Sequence, residues 1–426
     1  MPKLALRGGK SVLSQPLPPF VPSPMDAGEL SAAERVIKSG RLSDFVAANN
    51  EFFLGGVEVR RFEKLFADYF KIKHAVACNS ATTALHAAIT ALKIGPGDEV
   101  IVSPYTMSAT ASCVLMNGAI PVFADINAEN FCLDPDAVRK KITDKTKAII
   151  VVNLFGAPAD FDELLTIARE NNIKVIEDNA QAAGALYQGK FTGTIGDIGV
   201  FSFNIHKSIQ CGEGGVLVTN DDHLALRAQL ARNHGEVVAD QMPDLADKII
   251  LGSNYRMTEL AAAVAYEQLL KLEKLNQTRI EIAQHLDQLL AGIAGLSTLK
   301  LKPGNKSVYY VYPLMIDQEK FGISRDQFAD AMTAEGFPMS KGYVKPIYLL
   351  PIYQEKQVFN DTKFPFDGKY NDHQIDYSAG LCPVCERLYR QDLTYTTICQ
   401  YPYTKNEADL FARALKKILD NREELL

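Results

Sequence analysis

Lys207 stands in 201-FSFNIHKSIQCGEGG-215, between an aromatic, strand-like run and a glycine-rich turn. A lysine kept from water falls below its usual pKa of about 10.4 and becomes a neutral amine nucleophile, the kind that bonds to an aldehyde. On a fully solvated stem the same lysine would be only a surface charge. Ser202 ends the strand-like run, and 212-GEGG-215 leaves backbone room beside the lysine. A second stretch, 175-VIEDNAQAAGA-185, ends an apolar run in Glu177 and Asp178. A carboxylate at such a point either caps a helix or pairs with a cationic nitrogen. The third, 78-CNSATTALHAA-88, leads small and hydroxyl residues into a helix. Free N–H groups and the helix dipole there suit a phosphate, and the same residues suit an ordinary capped helix.

An anion cradle, a carboxylate and an amine match three groups of one small ring, pyridoxal 5'-phosphate: its phosphate, its pyridine nitrogen and its aldehyde. The ring's behaviour as an electron sink depends on a carboxylate beside that nitrogen. From about Lys73 to Asn220, β-rich runs (HAVAC, EVIVSP, IPVFADI, AIIVVN, KVIEDN, GVFSFN, GGVLVTN) alternate with helical stretches. This predicts an α/β fold with a largely parallel sheet covered on both faces, and chemistry at the carboxyl ends of its strands. After Thr258 more than thirty residues run without proline or internal glycine, predicting a long helix that links two domains. Beyond about Gly295 the pattern is that of a smaller α+β domain. Residues 341–376, rich in tyrosine and proline, read equally as a substrate-facing loop or as irregular packing.

Composition narrows the function. At 426 residues, 47% hydrophobic and 23% charged, the chain can fill two cores. A net charge of −6 without a basic block argues against nucleic acid as a partner. The opening lacks a signal-peptide core and no segment reaches ~18 uninterrupted apolar residues. A soluble, cytoplasmic protein is expected. The 7 cysteines lie in apolar surroundings, and the Cys382/Cys385 pair has no second pair to complete a metal site.

The chain resembles the DegT/DnrJ/EryC1/StrS family of sugar aminotransferases, which have the aspartate aminotransferase fold (fold type I). The motifs are 53-FLGGVEVRRFEKLFADYF-70, SATTAL, PVFADI, NLFGAPAD, IEDNAQAAGA, GDIGVFSFNIHK, GEGGVLVTN, RNHG and 252-GSNYRMTE-259, in the family's order. The resemblance implies a large domain over 46–265 with a seven-stranded, mostly parallel sheet, a linking helix and small C-terminal domain over 266–426, and an N-terminal segment, 1–45, on the small domain. It implies that Lys207 bonds to the cofactor aldehyde and moves the proton at the amino-bearing carbon. Asp178 would pair with the pyridine nitrogen and Gln181 with the phenolic oxygen; Ala81, Thr82 and Ser202 would hold the phosphate. Asn254 would reach the phosphate of a neighbouring subunit, making a homodimer part of the mechanism. The amino group would pass from glutamate or glutamine to a keto-sugar, first of all a nucleotide-linked one, for surface polysaccharide or a secondary metabolite. LALRGGKSV and GGVEVRRFEK also resemble members acting on inosose-like rings or an aminohydroxybenzoate precursor, which keeps a free cyclitol ketone open.

The sequence departs from the family at several points. Met107 stands where an aromatic ring usually covers the cofactor; this thioether, Tyr105 or another ring takes that place. Asn179 replaces an alanine, and Asn204 stands where histidine is frequent; each reports either a different substrate or nothing, and Tyr348, where many members have histidine, leaves the acceptor end of the pocket open. A sugar dehydratase of the same fold would carry histidine in place of Lys207, but here His206 lies one residue earlier. A non-catalytic, cofactor-binding regulator is the other reading, and the filled cofactor positions speak against it.

Overall fold

The computed structural model describes residues 3–243, 245–360 and 362–426. Its main sheet has seven strands: β1 (His74–Cys78), β2 (Glu99–Val102), β3 (Ile120–Phe123), β4 (Thr146–Val152), β5 (Lys174–Asp178), β6 (Ile198–Ser202) and β7 (Gly215–Thr219). Their order is β1-β7-β6-β5-β4-β2-β3. Strands β2 to β6 pair in parallel, while β7 runs antiparallel to both β6 and β1. Runs such as the AIIVV of β4 are buried along their length because helices cover both faces.

The helices that position the site are α1 (Ala27–Ser39), α2 (Val57–Phe70), α3 (Ala81–Ala91), α4 (Ala109–Met116) and α5 (Phe161–Glu170), followed by α6 (Asp222–Arg232). The predicted long helix forms as α7 (Glu259–Leu290), 32 residues capped by Thr258, whose hydroxyl accepts from the Ala261 N–H. It packs against α1 and α2 and, further on, against α10 (Lys405–Asp420). A second, antiparallel sheet is formed by β8 (Leu296–Thr298), β9 (Tyr312–Ile316) and β10 (Leu393–Thr396); α8 (Arg325–Ala334) packs on β10, and the short α9 (Pro383–Arg387) is held by Asp125, whose carboxylate accepts from its Val384 and Cys385 N–H groups. Among the described residues no helix is long and apolar enough to cross a membrane.

The motif FSF of β6 explains how the site is anchored. Alternation along a strand sends Phe201 and Phe203 to one face and Ser202 to the other. Phe201 meets Phe66 at 4.9 Å between ring centroids, and Phe203 meets Phe62 at 5.4 Å, in a cluster closed by Leu269 and Leu272 of α7. Each buried ring stabilises this arrangement by about 1.5–3 kcal/mol. The strand leading to Lys207 is thereby fixed from behind.

The region 341–376 divides in two. Its first part reaches the carboxyl end of β2, where the Ile347 N–H donates to Pro104 O at 2.9 Å. Its last part crosses the opposite edge of the sheet: Asn371 and His373 both bond Glu99, at the start of β2, at 2.9 Å, and the Tyr377 hydroxyl donates to Pro121 O at 2.6 Å. That part is packing, far from the strand ends.

Candidate active site

Three strands end and one begins at one side of the sheet. In register, Gly215 at the start of β7 faces Cys78 at the end of β1 on one side and Ser202 at the end of β6 on the other. Asp178 ends β5, two positions back from Ser202 in the neighbouring register. Lys207 lies in the loop joining the antiparallel pair β6 and β7, so both loop ends are tied to this edge. Within the loop the Lys207 N–H donates to Asn204 O and the Cys211 N–H to Phe203 O, each at 2.9 Å. The Asn204 amide donates to Glu213 at 2.9 Å and ties the two loop arms.

The N-terminus of α3 supplies an anion cradle. Ser80 caps it by accepting from Thr83 N, and among the described residues nothing accepts from the N–H groups of Ala81 and Thr82. Such orphan donors at a helix start suit a phosphate. Gly215 makes the cradle possible: a Cβ there would lie 2.5 Å from Ala81 N. The expectation that the GEGG turn makes room beside the lysine is thus corrected. Gly214 and Gly215 make room for Met257 and for the start of α3, and Gly212 supplies a left-handed turn at φ 83°. Ser202, buried, points its hydroxyl at the Asn204 N–H at 3.4 Å.

The two carboxylates ending β5 separate by function. Glu177 is buried and spends its oxygens on the N–H groups of Gly193, Ile195 and Gly196 at 2.6–2.7 Å, so it clamps a loop. Asp178 accepts from the Thr110 hydroxyl at 2.7 Å and from Ala180 N at 3.2 Å, which leaves acceptor capacity for a ring nitrogen. Burial raises its carboxyl above the usual range, opposed by Thr110, Ala180 and the charge of Lys207. Burial pushes Lys207 down to about 8, opposed by Asp178. Lys207 Nζ lies 4.9 Å from the ring centroid of Tyr310. An amine near neutrality, a carboxylate with spare acceptor capacity and two free N–H groups fit pyridoxal 5'-phosphate.

Gln181 is buried. Its carbonyl accepts from Phe155 N at 2.9 Å, and its amide donates to the Tyr343 hydroxyl at 2.8 Å, leaving one amide proton for a further acceptor. Met107, 62% exposed, lies just past the end of β2 and is free to cover a ring. Tyr105 is not: it is fully buried and its hydroxyl accepts from Tyr343 N at 2.9 Å, so the stacking role considered for it is withdrawn. Tyr348 is also buried, donating to Glu386 at 2.5 Å and accepting from Cys382 N, which makes it a brace for α9 rather than part of an acceptor pocket. The Asn179 side chain, among the described residues, bonds Asn153 and the carbonyls of Ala182 and Thr192, so it too is structural. Asn254 is exposed and is itself the bridge partner of Asn233, and the next carbonyl, that of Tyr255, accepts from Asn79 N at 2.9 Å. Cys382 and Cys385 are buried, and their thiols are pushed up by that burial; among the described residues no cluster of metal ligands occurs.

Comparison with known proteins decides the family. The model of the DegT/DnrJ/EryC1/StrS aminotransferase family matches residues 41–375. The chain belongs to this family. It is a pyridoxal phosphate-dependent aminotransferase acting with an amino donor on a keto-sugar or cyclitol. The chain is 37% identical over 434 residues to an L-glutamine:2-deoxy-scyllo-inosose aminotransferase of Streptomyces kanamyceticus, covering 99% of this chain and 98% of the relative. It is 40% identical over 297 residues to a GDP-perosamine synthase of Caulobacter vibrioides, covering 68% of this chain and 77% of the relative. Among solved structures, an aminotransferase from Psychrobacter cryohalolentis superposes with a TM-score of 0.79 at 30% identity, over 95% of this chain and 99% of that one.

Thr110, Ser23 and three tyrosines of the C-terminal third, Tyr310, Tyr343 and Tyr395, were not singled out by the sequence. Ser23 donates to Ser208 O at 2.7 Å, with Lys207 O at 3.2 Å, and so holds the lysine loop from the N-terminal segment. Thr110 stands within PYTMSATAS, and only its place on α4, opposite the end of β5, marks it. No periodicity could have found the tyrosines.

Proposed function

We propose that this aminotransferase passes the amino group of glutamine to the ketone of a free cyclic polyol. The observation that supports this reading is identity sustained along the chain: two inosose aminotransferases align over 99% of it at 37% and 36% identity, whereas two GDP-perosamine synthases align over 68% and 86% of it. This moves the cyclitol, second in the sequence-based expectation, ahead of the nucleotide-linked sugar.

In this reading Lys207 is the amine that takes the cofactor aldehyde and then moves a proton at the amino-bearing carbon, for which a pKa near 8 is suited. Asp178, oriented by Thr110, holds the pyridine nitrogen; Gln181 takes the phenolic oxygen; Ala81, Thr82 and Ser202 take the phosphate; Met107 covers the ring. When bound, the cofactor supplies an electron sink for the pair left as the proton departs.

The homodimer belongs to the same proposal. Ile249 and Leu251 are 89% and 82% exposed on the segment that leads to Asn254, an apolar surface suited to a second copy whose phosphate site Asn254 would complete. A cytoplasmic setting is supported by the seven cysteines, all unpaired and six of them buried. The segment 1–45, the large domain 46–265 and the region 266–426 are the proposed units; the Ala5 and Val12 N–H groups, both held by Glu335 at 2.9 Å, support placing the first on the last.

The test is transfer of label from amide- and amine-labelled glutamine to an inosose, read as aminocyclitol by mass spectrometry. Amination of a nucleotide keto-sugar, with none of the inosose, would reverse the choice of acceptor. No transfer to any ketone would favour the regulator.

A further inference from the structure

The C-terminal third brings three phenols to the mouth of the site. Tyr310 lies under the Lys207 amine, and Tyr343 takes a hydrogen bond from Gln181. The rings of Tyr343 and Tyr395 are 6.0 Å apart. The Tyr310 hydroxyl is close enough to resist ionisation of both the others. One residue orients all three. Phe155 follows β4 in the left-handed region, at φ 58°, a strained choice for a phenylalanine. In that conformation its N–H donates to Gln181 and its carbonyl accepts from Tyr310 N at 2.9 Å, while its ring packs against Tyr343 at 5.0 Å and Tyr395 at 6.2 Å.

These hydroxyls are unspent. Among the described residues none accepts a proton from Tyr310, Tyr343 or Tyr395, and all three side chains are half-buried, so water or a ligand must serve them. Burial raises all three above the ordinary phenol value, so each is a neutral donor and acceptor across the working range. Phosphate recognition would call for presented guanidinium or ammonium groups in that position, whereas the guanidinium that acts on Tyr310, that of Arg279, is buried and donates to the Ser208 hydroxyl at 3.0 Å. A neutral phenol under the amine, with two more grouped around Phe155, matches instead the hydroxyls of a ring polyol.

We propose that Tyr310, Tyr343 and Tyr395 form the acceptor subsite and select an uncharged polyhydroxylated ring by hydrogen bonds to its hydroxyls. This rests on the aminotransferase reading above and names the groups that choose its acceptor. The probe is myo-inositol, which has no ketone and cannot react, titrated calorimetrically into the cofactor-loaded enzyme beside UDP-glucose. The wild type binds myo-inositol more tightly than UDP-glucose, and each of Tyr310→Phe, Tyr343→Phe and Tyr395→Phe weakens myo-inositol about 3- to 10-fold, the loss of one neutral hydrogen bond. With a reactive inosose, the KM of each variant rises more than its kcat falls. Unchanged myo-inositol affinity in all three variants, or tighter binding of UDP-glucose by the wild type, overturns the proposal. The wild-type comparison needs no variant to fold. Failure of glutamine to deliver its amino group would sink the transaminase reading and leave these affinities untouched.

Discussion

Lys207 and Asp178 set each other's protonation, and both were legible because an ionisable residue at the end of an apolar strand has few structural excuses. Lys207 is charged below a pH of about 8 and neutral above it, so its reaction with an amine-selective reagent in the cofactor-free protein should level off above that pH. Asp178→Asn removes the charge that raises the lysine, and the midpoint should move lower still. A midpoint at the ordinary lysine value would mean the amine is solvated. Thr110→Val removes the hydroxyl on Asp178 Oδ2, and cofactor affinity should fall about 10-fold, read by equilibrium dialysis. Thr110 was illegible in the sequence, since its partner lies 68 positions away. Tyr105 and Tyr348 misled for the same reason, and Asn179 stayed open for it: burial decided their roles, and burial by distant segments leaves no local pattern.

At the scale of elements, the alternation of β runs and helices gave the sheet, and the apolar strands told that both its faces are covered. The reversed β7 was less plain, because a strand's direction depends on the loop before it. That reversal is what pins the lysine loop at both ends. Gly215→Ala places a Cβ 2.5 Å from Ala81 N and must displace either β7 or the start of α3. Cofactor affinity should drop at least 10-fold, while inorganic phosphate no longer protects the variant against thermal unfolding as it does the wild type. The segment 363–377, unreadable because it lacks periodicity, is held to the far edge of the sheet through His373 and Glu99. The Glu99 carboxylate raises the His373 pKa, with Asp144 and Asp372 adding to it. The folded-state pKa is the higher one, so this tie is fully present below about pH 6.5 and is lost as pH rises through the folded value. Proteolysis within 363–377 should quicken with rising pH, and His373→Ala should flatten that dependence.

For the whole molecule, the proposed dimer rests on the exposed Ile249 and Leu251. The double change Ile249→Asp and Leu251→Asp should halve the mass seen by light scattering and weaken cofactor binding together, because the Asn254 of each chain would no longer reach its partner. A dimer persisting with full cofactor affinity would place the interface elsewhere. The proposed assembly was expected only through the GSNYRM motif; an outward apolar pair has no signature in sequence until the fold leaves it exposed. The reading as a whole stands on one bond. Borohydride treatment of the cofactor-loaded enzyme, followed by peptide mass spectrometry, should place the cofactor's mass on Lys207, and prior addition of L-glutamine should remove that label. Label on a different lysine, or label on Lys207 that no amino donor reduces, would contradict the account.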